Sequence, residues 1–362
     1  MAVVPPTKLG WVEAYRGIAA TAVILYHTAR HFDKNYDTPR LESVFQFGHA
    51  GVDLFFVISG FIILFVHFDD IGQPGRVRHY LGRRLTRLLP AYWVAVALTI
   101  AVSQLSGHVT DWSDVAWAAL PVPTFSEPVL DVAWTLQYEF VFYAAFAVLI
   151  INRTAGLILM VAWLAGVALA AATGWHPGLP PTYLGIFNIE FFAGMAVAYR
   201  LRRGSLPQYR VVLGIGIVLF VAAAVAEDLG WMDGYTPFAR LAYGLPSVLI
   251  LLGGVEASRR SNIRIPRLLR TLGTASYSLY LFHFLLIGLL WKFWLAAGLG
   301  ATSPAIGVAV FAALAIAGGI VLSRLVEYPL MRLMREPLGW WKLRSAARVA
   351  PDTLLPSDRG AG

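Results

Sequence analysis

The stretch RGIAATAVILYH (residues 16–27) sets an arginine and a histidine at the two ends of ten uncharged, mostly apolar residues. Read as one helix, its eleven steps separate Arg16 from His27 by roughly 16 Å along the axis, about half the thickness of a bilayer core. Composition says which solvent that helix meets. Of the 362 residues 58% are hydrophobic and 14% charged, and the mean hydropathy is +0.64, the profile of a polytopic membrane protein. The absence of cysteine excludes disulfides, thiolate catalysis and cysteine-ligated metals. A net charge of +8 could serve nucleic acid, but the arginines fall in alternate loops between apolar spans, where membrane orientation accounts for them, so no nucleic-acid partner is expected.

Hydropathy over windows of about twenty residues predicts an all-α bundle of about ten transmembrane helices, near 13–31, 46–66, 88–106, 133–151, 155–173, 183–201, 210–226, 238–257, 274–297 and 304–325. The first span keeps Glu13, Arg16, His27 and Arg30 and lacks a small-residue cleavage site, so it is expected to stay as a helix. Arginines cluster after spans two, four, six and eight, including Arg83, Arg84, Arg87, Arg153, Arg202, Arg203, Arg259, Arg260, Arg264 and Arg267. The loops 107–131, 174–182, 227–237 and 298–303 have neither Lys nor Arg but hold Asp111, Asp114, Glu127, Glu227, Asp228 and Asp233, while loop 32–45 is mixed, with Lys34 and Arg40. By the positive-inside rule both termini are cytoplasmic. A membrane domain is expected over 1–336 and a cytoplasmic tail over 337–362, in the inner (plasma) membrane. No phosphate-cradling GxxxxGK, zinc-binding HExxH or GxSxG stretch occurs, and no metal site is expected, so any chemistry belongs inside the bundle.

Titratable side chains within the spans are costly unless paired or wetted, and they point to a cavity. On this count His27 lies roughly 6 Å and Glu139 roughly 9 Å below the outer boundary. Asp53, in GHAGVDLFFVISGF (48–61), and Glu190, in YLGIFNIEFFAG (183–194), each sit seven residues into inward-running spans. His283, in SYSLYLFHF (276–284), is nearer mid-membrane. Three acids and His27 are thus expected to share an outer-leaflet layer. Each also has a plainer reading: a histidine can bond a neighbouring helix, Glu139 beside Tyr138 and Trp134 can clamp helices, and Asp53 between glycines can hold an arginine. In RRLTRLLPAYW (83–93), Arg84 and Arg87 share a helix face, either as a positive-inside anchor or as a fork for phosphate oxygens.

Taken together, RGIAATAVILYH (16–27), GVDLFFVISGF (51–61), RRLTRLLPAYW (83–93), WTLQYEFVFY (134–143) and SYSLYLFH (276–283) resemble acyltransferase family 3, integral membrane proteins that acylate carbohydrates and related hydroxyl compounds. The resemblance runs from residue 16 to about 330. It implies an O-acyltransferase of a ten-helix bundle, with acyl-CoA (acetyl-CoA) as a cytoplasmic donor and no permanently bound cofactor. The acceptor it implies is a hydroxyl of a carbohydrate or glycosylated compound, such as exopolysaccharide or lipopolysaccharide, presented from the other side. It marks Arg16, His27, Arg84, Arg87 and Glu139 as functional; His27 and Glu139 are expected to be catalytic, Arg16, Arg84 and Arg87 to bind the donor, and Asp53, Tyr138, Glu190 and His283 to line the substrate pocket. Some members carry a fused extracytoplasmic esterase-like domain that this sequence lacks, which narrows the expectation to stand-alone enzymes. Tyr138 stands where many relatives have a small aliphatic residue, which is expected to reshape the acceptor pocket.

Histidine is the one side chain here whose ordinary titration suits a base near neutral pH. His27 is expected to take the acceptor proton while Glu139 orients its ring; a transient acyl-histidine is the other route open to a neutral imidazole. The rival reading is a proton-coupled or lipid-linked sugar transporter with a His/Asp/Glu relay. Against it, the two halves show no inverted repeat and no matching Gly/Pro-broken helices.

Overall fold

The structure, a computed structural model, describes residues 10–36, 40–107, 112–175, 177–260 and 265–335. The expected tail 337–362 lies outside these residues, as do Asp111 and Arg264. The secondary structure of the described residues is helix without strand: α1 (Gly10–Tyr36), α2 (Arg40–Phe45), α3 (Gly51–His67), α4 (Val77–Leu105), α5 (Trp112–Trp117), α6 (Ala133–Ile151), α7 (Arg153–Thr173), α8 (Phe187–Arg203), α9 (Tyr209–Asp228), α10 (Pro237–Arg260), α11 (Arg267–Ala296), α12 (Pro304–Leu322) and α13 (Tyr328–Arg335). Among the described residues nine helical segments are long and apolar enough to cross a membrane, which makes this a multi-pass membrane protein. The remaining long helix is α1. Its Glu13, Arg16, Arg30, Asp33 and Lys34 dilute its hydropathy, yet it packs centrally against α3, α11 and α12. Such a helix is tolerated because Arg16 and Arg30 border cavities, Asp33 is buried in protein, and the exposed Glu13 and Lys34 stand near its two ends.

Hydropathy placed α6 at its observed ends. It started α4 too late, near 88, because the arginine-rich stretch from Val77 continues the same helix up to Pro90 and beyond. The span expected from residue 46 opens with a five-residue 3-10 turn, Gln46–Ala50, ahead of α3. That turn rises about 2.0 Å per residue and carries the chain inward faster than an α-helix would.

Large apolar side chains of α3, α4, α6 and α8, among them Phe61, Phe142, Phe146 and Phe191, form one core. Phe32, Trp294 and Phe311 anchor a second between α1, α11 and α12. α7 and α9 ride at the periphery and leave most of their apolar surface outward, as lipid-facing helices do. At one face the ends of α3, α8 and α10 are tied by Arg202 to Asp69 at 2.8 Å and by the Arg259 guanidinium donating to the Leu201 carbonyl at 2.9 Å.

The contact that positions the site is between α1 and α11, which run parallel. A β-carbon on Gly273 would stand 2.1 Å from the Glu13 carbonyl oxygen, and one on Gly17 would stand 2.7 Å from the Gly273 amide nitrogen, so only glycine lets the backbones touch. Ten residues further along each helix stand His27 and His283, with ring centroids 5.1 Å apart. The paired glycines thus set the register that joins the two histidines, about 15 Å further along the axis.

Candidate active site

Two cavities lie along the α1–α11 seam. The larger, about 540 Å³, is bordered by His27, His49, Trp134, Phe187 and Arg240 and reaches Glu127 and Asp131 in the connection before α6. Partial burial at this mouth, and after it the Glu127 charge, push the Asp131 carboxyl above the ordinary aspartate range. His27 is half-buried, and its ring forms a triangle with those of Phe284, 4.5 Å away, and His283. His283 is fully buried, and its Nδ1 donates to the Tyr280 carbonyl at 2.6 Å. A carbonyl only accepts, so Nδ1 carries the proton. The Nε2 lone pair, which has no partner among the described residues, is left beside His27.

Behind this cavity runs a buried ionic network. The Arg240 guanidinium donates from Nη1 to Asp53 Oδ2 at 2.9 Å, and from Nη2 to His49 Nδ1 at 3.2 Å and to the Gly234 carbonyl. Guanidinium cannot accept, so His49 Nδ1 is the acceptor and its Nε2–H donates to Glu227 at 2.9 and 3.1 Å. Tyr243 and Gln46 complete the Glu227 carboxylate at 2.5 and 3.3 Å. His49 is thereby committed at both nitrogens and has no lone pair for the cavity. Asp53 and Glu190 are both buried, and Asp53 Oδ1 and both Glu190 carboxylate oxygens have no hydrogen-bond partner among the described residues.

The smaller cavity, about 60 Å³, is bordered by Arg16, Val52, Ser59, Thr135, Glu139 and Tyr280. Glu139 Oε1 accepts from Ser59 at 3.1 Å and from the Tyr143 phenol. The charged neighbours of Arg16 are Arg87, Glu139 and Glu327. Glu327 is delivered by a π-helical turn, Ser323–Glu327, and accepts from Ser278 at 2.6 Å and Ser323 at 3.0 Å. Arg84 lies over the rings of Tyr80 and Tyr143, 6.0 and 5.7 Å from their centroids, and its Nε has no partner among the described residues. Arg16 from α1 thus has Arg87 from α4 and the carboxylates Glu139 and Glu327 as neighbours, and Arg84 from α4 lies over the ring of Tyr143, whose phenol donates to Glu139, all on the arginine-rich side of the histidines. Such a surplus of donors suits an anion.

The profile of the family described as an acyltransferase domain matches residues 9–324. The chain belongs to this family, acyltransferase family 3. It is 32% identical over 300 residues to the exopolysaccharide production protein ExoZ of Rhizobium meliloti, covering 80% of this chain and 91% of that one. It is 25% identical over 320 residues to the peptidoglycan O-acetyltransferase OatA of Listeria monocytogenes, covering 77% of this chain and 49% of OatA. This chain thus spans about half of that longer relative. No solved structure matches it.

Within this acyltransferase fold the residues expected to share one layer fall into three groups. His27 meets His283 beside the larger cavity, Arg16 and Glu139 border the smaller, and Asp53, bonded to Arg240, is buried together with Glu190 behind the wall. Gly48 packs on Ala22 and Tyr26, and Gly51 on Ala19, so Asp53 lies deeper than His27 and not beside it. Glu139 is turned to Ser59 and Tyr143, which separates it from His27. Tyr138 lines neither cavity; it packs among Phe56, Trp134 and Phe187. Among the described residues no three His, Asp or Glu side chains converge to hold a metal ion. Sequence reasoning passed over Arg240, His49 and Glu227. An arginine just inside an apolar span, in a chain with two buried acids awaiting a cation, was the signal available.

Proposed function

We propose that this acyltransferase is an inner-membrane O-acetyltransferase that moves an acetyl group from cytoplasmic acetyl-CoA to a hydroxyl of a carbohydrate or glycosylated acceptor. The observation that carries the reading is the pair of cavities along one seam, the smaller bordered by Arg16 and Glu139, with Arg87 among the charged neighbours of Arg16, and the larger bordered by His27 together with Glu127 and Asp131 of an acid-rich connection. The arginine side suits the phosphates of CoA, and by the positive-inside rule it is the cytoplasmic side. The names of ExoZ and OatA favour an envelope polysaccharide as acceptor.

In this mechanism Arg84 and Arg87 hold the donor phosphates, and Arg16 with Glu139 receives the thioester end. His27 takes the acceptor proton as the oxygen attacks the thioester carbon. His283 does not border the larger cavity, which leaves His27 as the base that faces it. Glu139, held by Ser59 and Tyr143, works on the donor side and not as the partner of His27.

The test uses sealed vesicles of known orientation. Labelled acetyl-CoA supplied on the arginine-rich side should acetylate an oligosaccharide supplied only on the other, and His27→Ala should abolish transfer while the protein stays inserted and monodisperse. Transfer only when both substrates share one compartment would overturn the trans-bilayer route. Full turnover in His27→Ala would remove His27 from the mechanism.

A further inference from the structure

The two cavities share two lining residues, Val52 from α3 and Tyr280 from α11. On one side of this pair are Arg16 and Glu139, on the other His27 and Trp134. Tyr280 is latched. Thr135 has one hydroxyl proton and lies 2.9 Å from the Val132 carbonyl, which only accepts, so Thr135 donates there and receives the Tyr280 phenol at 3.0 Å. The Tyr280 ring also rests against Phe55 at 5.8 Å and His283 at 5.7 Å, and its own carbonyl accepts from His283. The ring that divides the cavities is therefore fixed at its phenol, its face and its backbone. Both residues are nearly inaccessible, at 8% exposure each, and both stand between the two cavities.

We propose that Val52 and Tyr280 form a septum between donor and acceptor compartments that admits a short acyl group and keeps water of the larger cavity off the thioester. The inference rests on the donor reading above and adds the residues that set donor chain length and limit hydrolysis. The volume behind the septum is about 60 Å³. At roughly 10–15 Å³ for each water on this measure, it takes about four to six water-sized groups, the bulk of a short acyl unit with its carbonyl. Phe55, Phe56 and Leu136 close the same cavity with apolar walls, so a longer tail meets side chains and not space.

In the productive step the acceptor oxygen bonds to the acyl carbon and the carbon–sulfur bond breaks. The hydroxyl proton passes to His27 and ends on the departing CoA sulfur as thiol. In the leak, water replaces the hydroxyl and the products are the free carboxylic acid and the same thiol. Excluding water from a reactive ester is a recognised means of suppressing that side reaction.

The experiment measures thiol release by the full chain in lipid nanodiscs, with and without an oligosaccharide acceptor, from acetyl-, propionyl- and butyryl-CoA. Val52→Ala should raise the butyryl-to-acetyl rate ratio by about tenfold, the discrimination that one or two methylenes supply in an apolar pocket, and Val52→Leu should lower the propionyl-to-acetyl ratio by a similar factor. Thr135→Val keeps the volume and frees the Tyr280 phenol; the fraction of thiol released without acceptor should rise by about threefold as the septum loosens. Should Val52→Ala fail to insert, the other two variants read the same two quantities. Ratios and leak unchanged in active, inserted variants would overturn the septum alone. A wild-type chain that consumes no acyl-CoA with any acceptor would overturn the donor reading and the septum with it.

Discussion

His27 and Glu139 show how much a residue's partners decide. Both are titratable groups inside apolar spans, and sequence spacing drew them to one layer. The structure gives His27 an imidazole with a bare lone pair, while Glu139 takes two hydroxyl donors beside Arg16. Glu139→Gln keeps the shape but removes the charge that borders the smaller cavity with Arg16 and accepts from Ser59 and Tyr143, and a hydrogen bond to a charged group is worth about 1.5–3 kcal/mol. The apparent KM for acetyl-CoA should therefore rise by about tenfold or more, since each 1.4 kcal/mol is tenfold. Initial rates over a donor titration measure it; a collapse of kcat at unchanged KM would tie Glu139 back to His27. The presence of a buried His, Glu and Arg was legible because charges in apolar spans stand out. Their pairing was not, because one or two residues of helix offset turn a side chain to a different neighbour.

At the scale of elements, the α1–α11 register and the Arg240 network hold the site in shape. The small residues Gly17 and Gly273 were visible in the sequence, but that they face each other is a property of two helices more than 250 residues apart. Arg240 joins α10 to α3 and to the 3-10 turn, while Glu227 and Tyr243 bring in α9. Breaking a buried ion pair by deleting one partner costs about 3–5 kcal/mol, because a charge stays buried without compensation. Arg240→Ala should accordingly show a clearly lowered melting temperature by intrinsic tryptophan fluorescence in detergent. Adding Asp53→Asn to it should restore part of the loss, since the orphaned charge is then gone. A single variant as stable as wild type would mean that Asp53 takes a proton at little cost and that Arg240 is not its counter-ion.

For the whole molecule, the bundle separates two chemistries along one seam. Guanidiniums collect at the end of α4 that carries the basic connections, and Trp134, Phe187 and the acids Glu127 and Asp131 border the larger cavity. If donor and acceptor bind on opposite sides of the septum, their binding defects should separate as well. Arg84→Ala and Arg87→Ala should raise the KM for acetyl-CoA by about tenfold or more and leave the acceptor KM unchanged, given the size of a lost charge-assisted bond. Trp134→Ala should do the reverse, because an aromatic face is a stacking surface for a sugar ring and not a phosphate ligand. Steady-state kinetics with each substrate varied in turn measure both; a joint rise in both constants for either variant would place the two substrates in one pocket.

The sequence by itself determined the class, the order of the long helices, the alternation of basic and acid-rich connections and the membership of the family. These follow from composition and from the cost of exposing polar groups to hydrocarbon, which are local properties summed along the chain. Only the tertiary structure decided that His27 stands with His283, that Arg240 answers Asp53, that Glu139 belongs with the arginines, and that Val52 and Tyr280 divide two cavities. Each of those depends on helix rotation and depth, and neither is written in hydropathy. Hydropathy records how apolar a turn is and not which way it faces. The contacts of glycine pairs and buried ions set that direction, and they exist only once distant segments have packed.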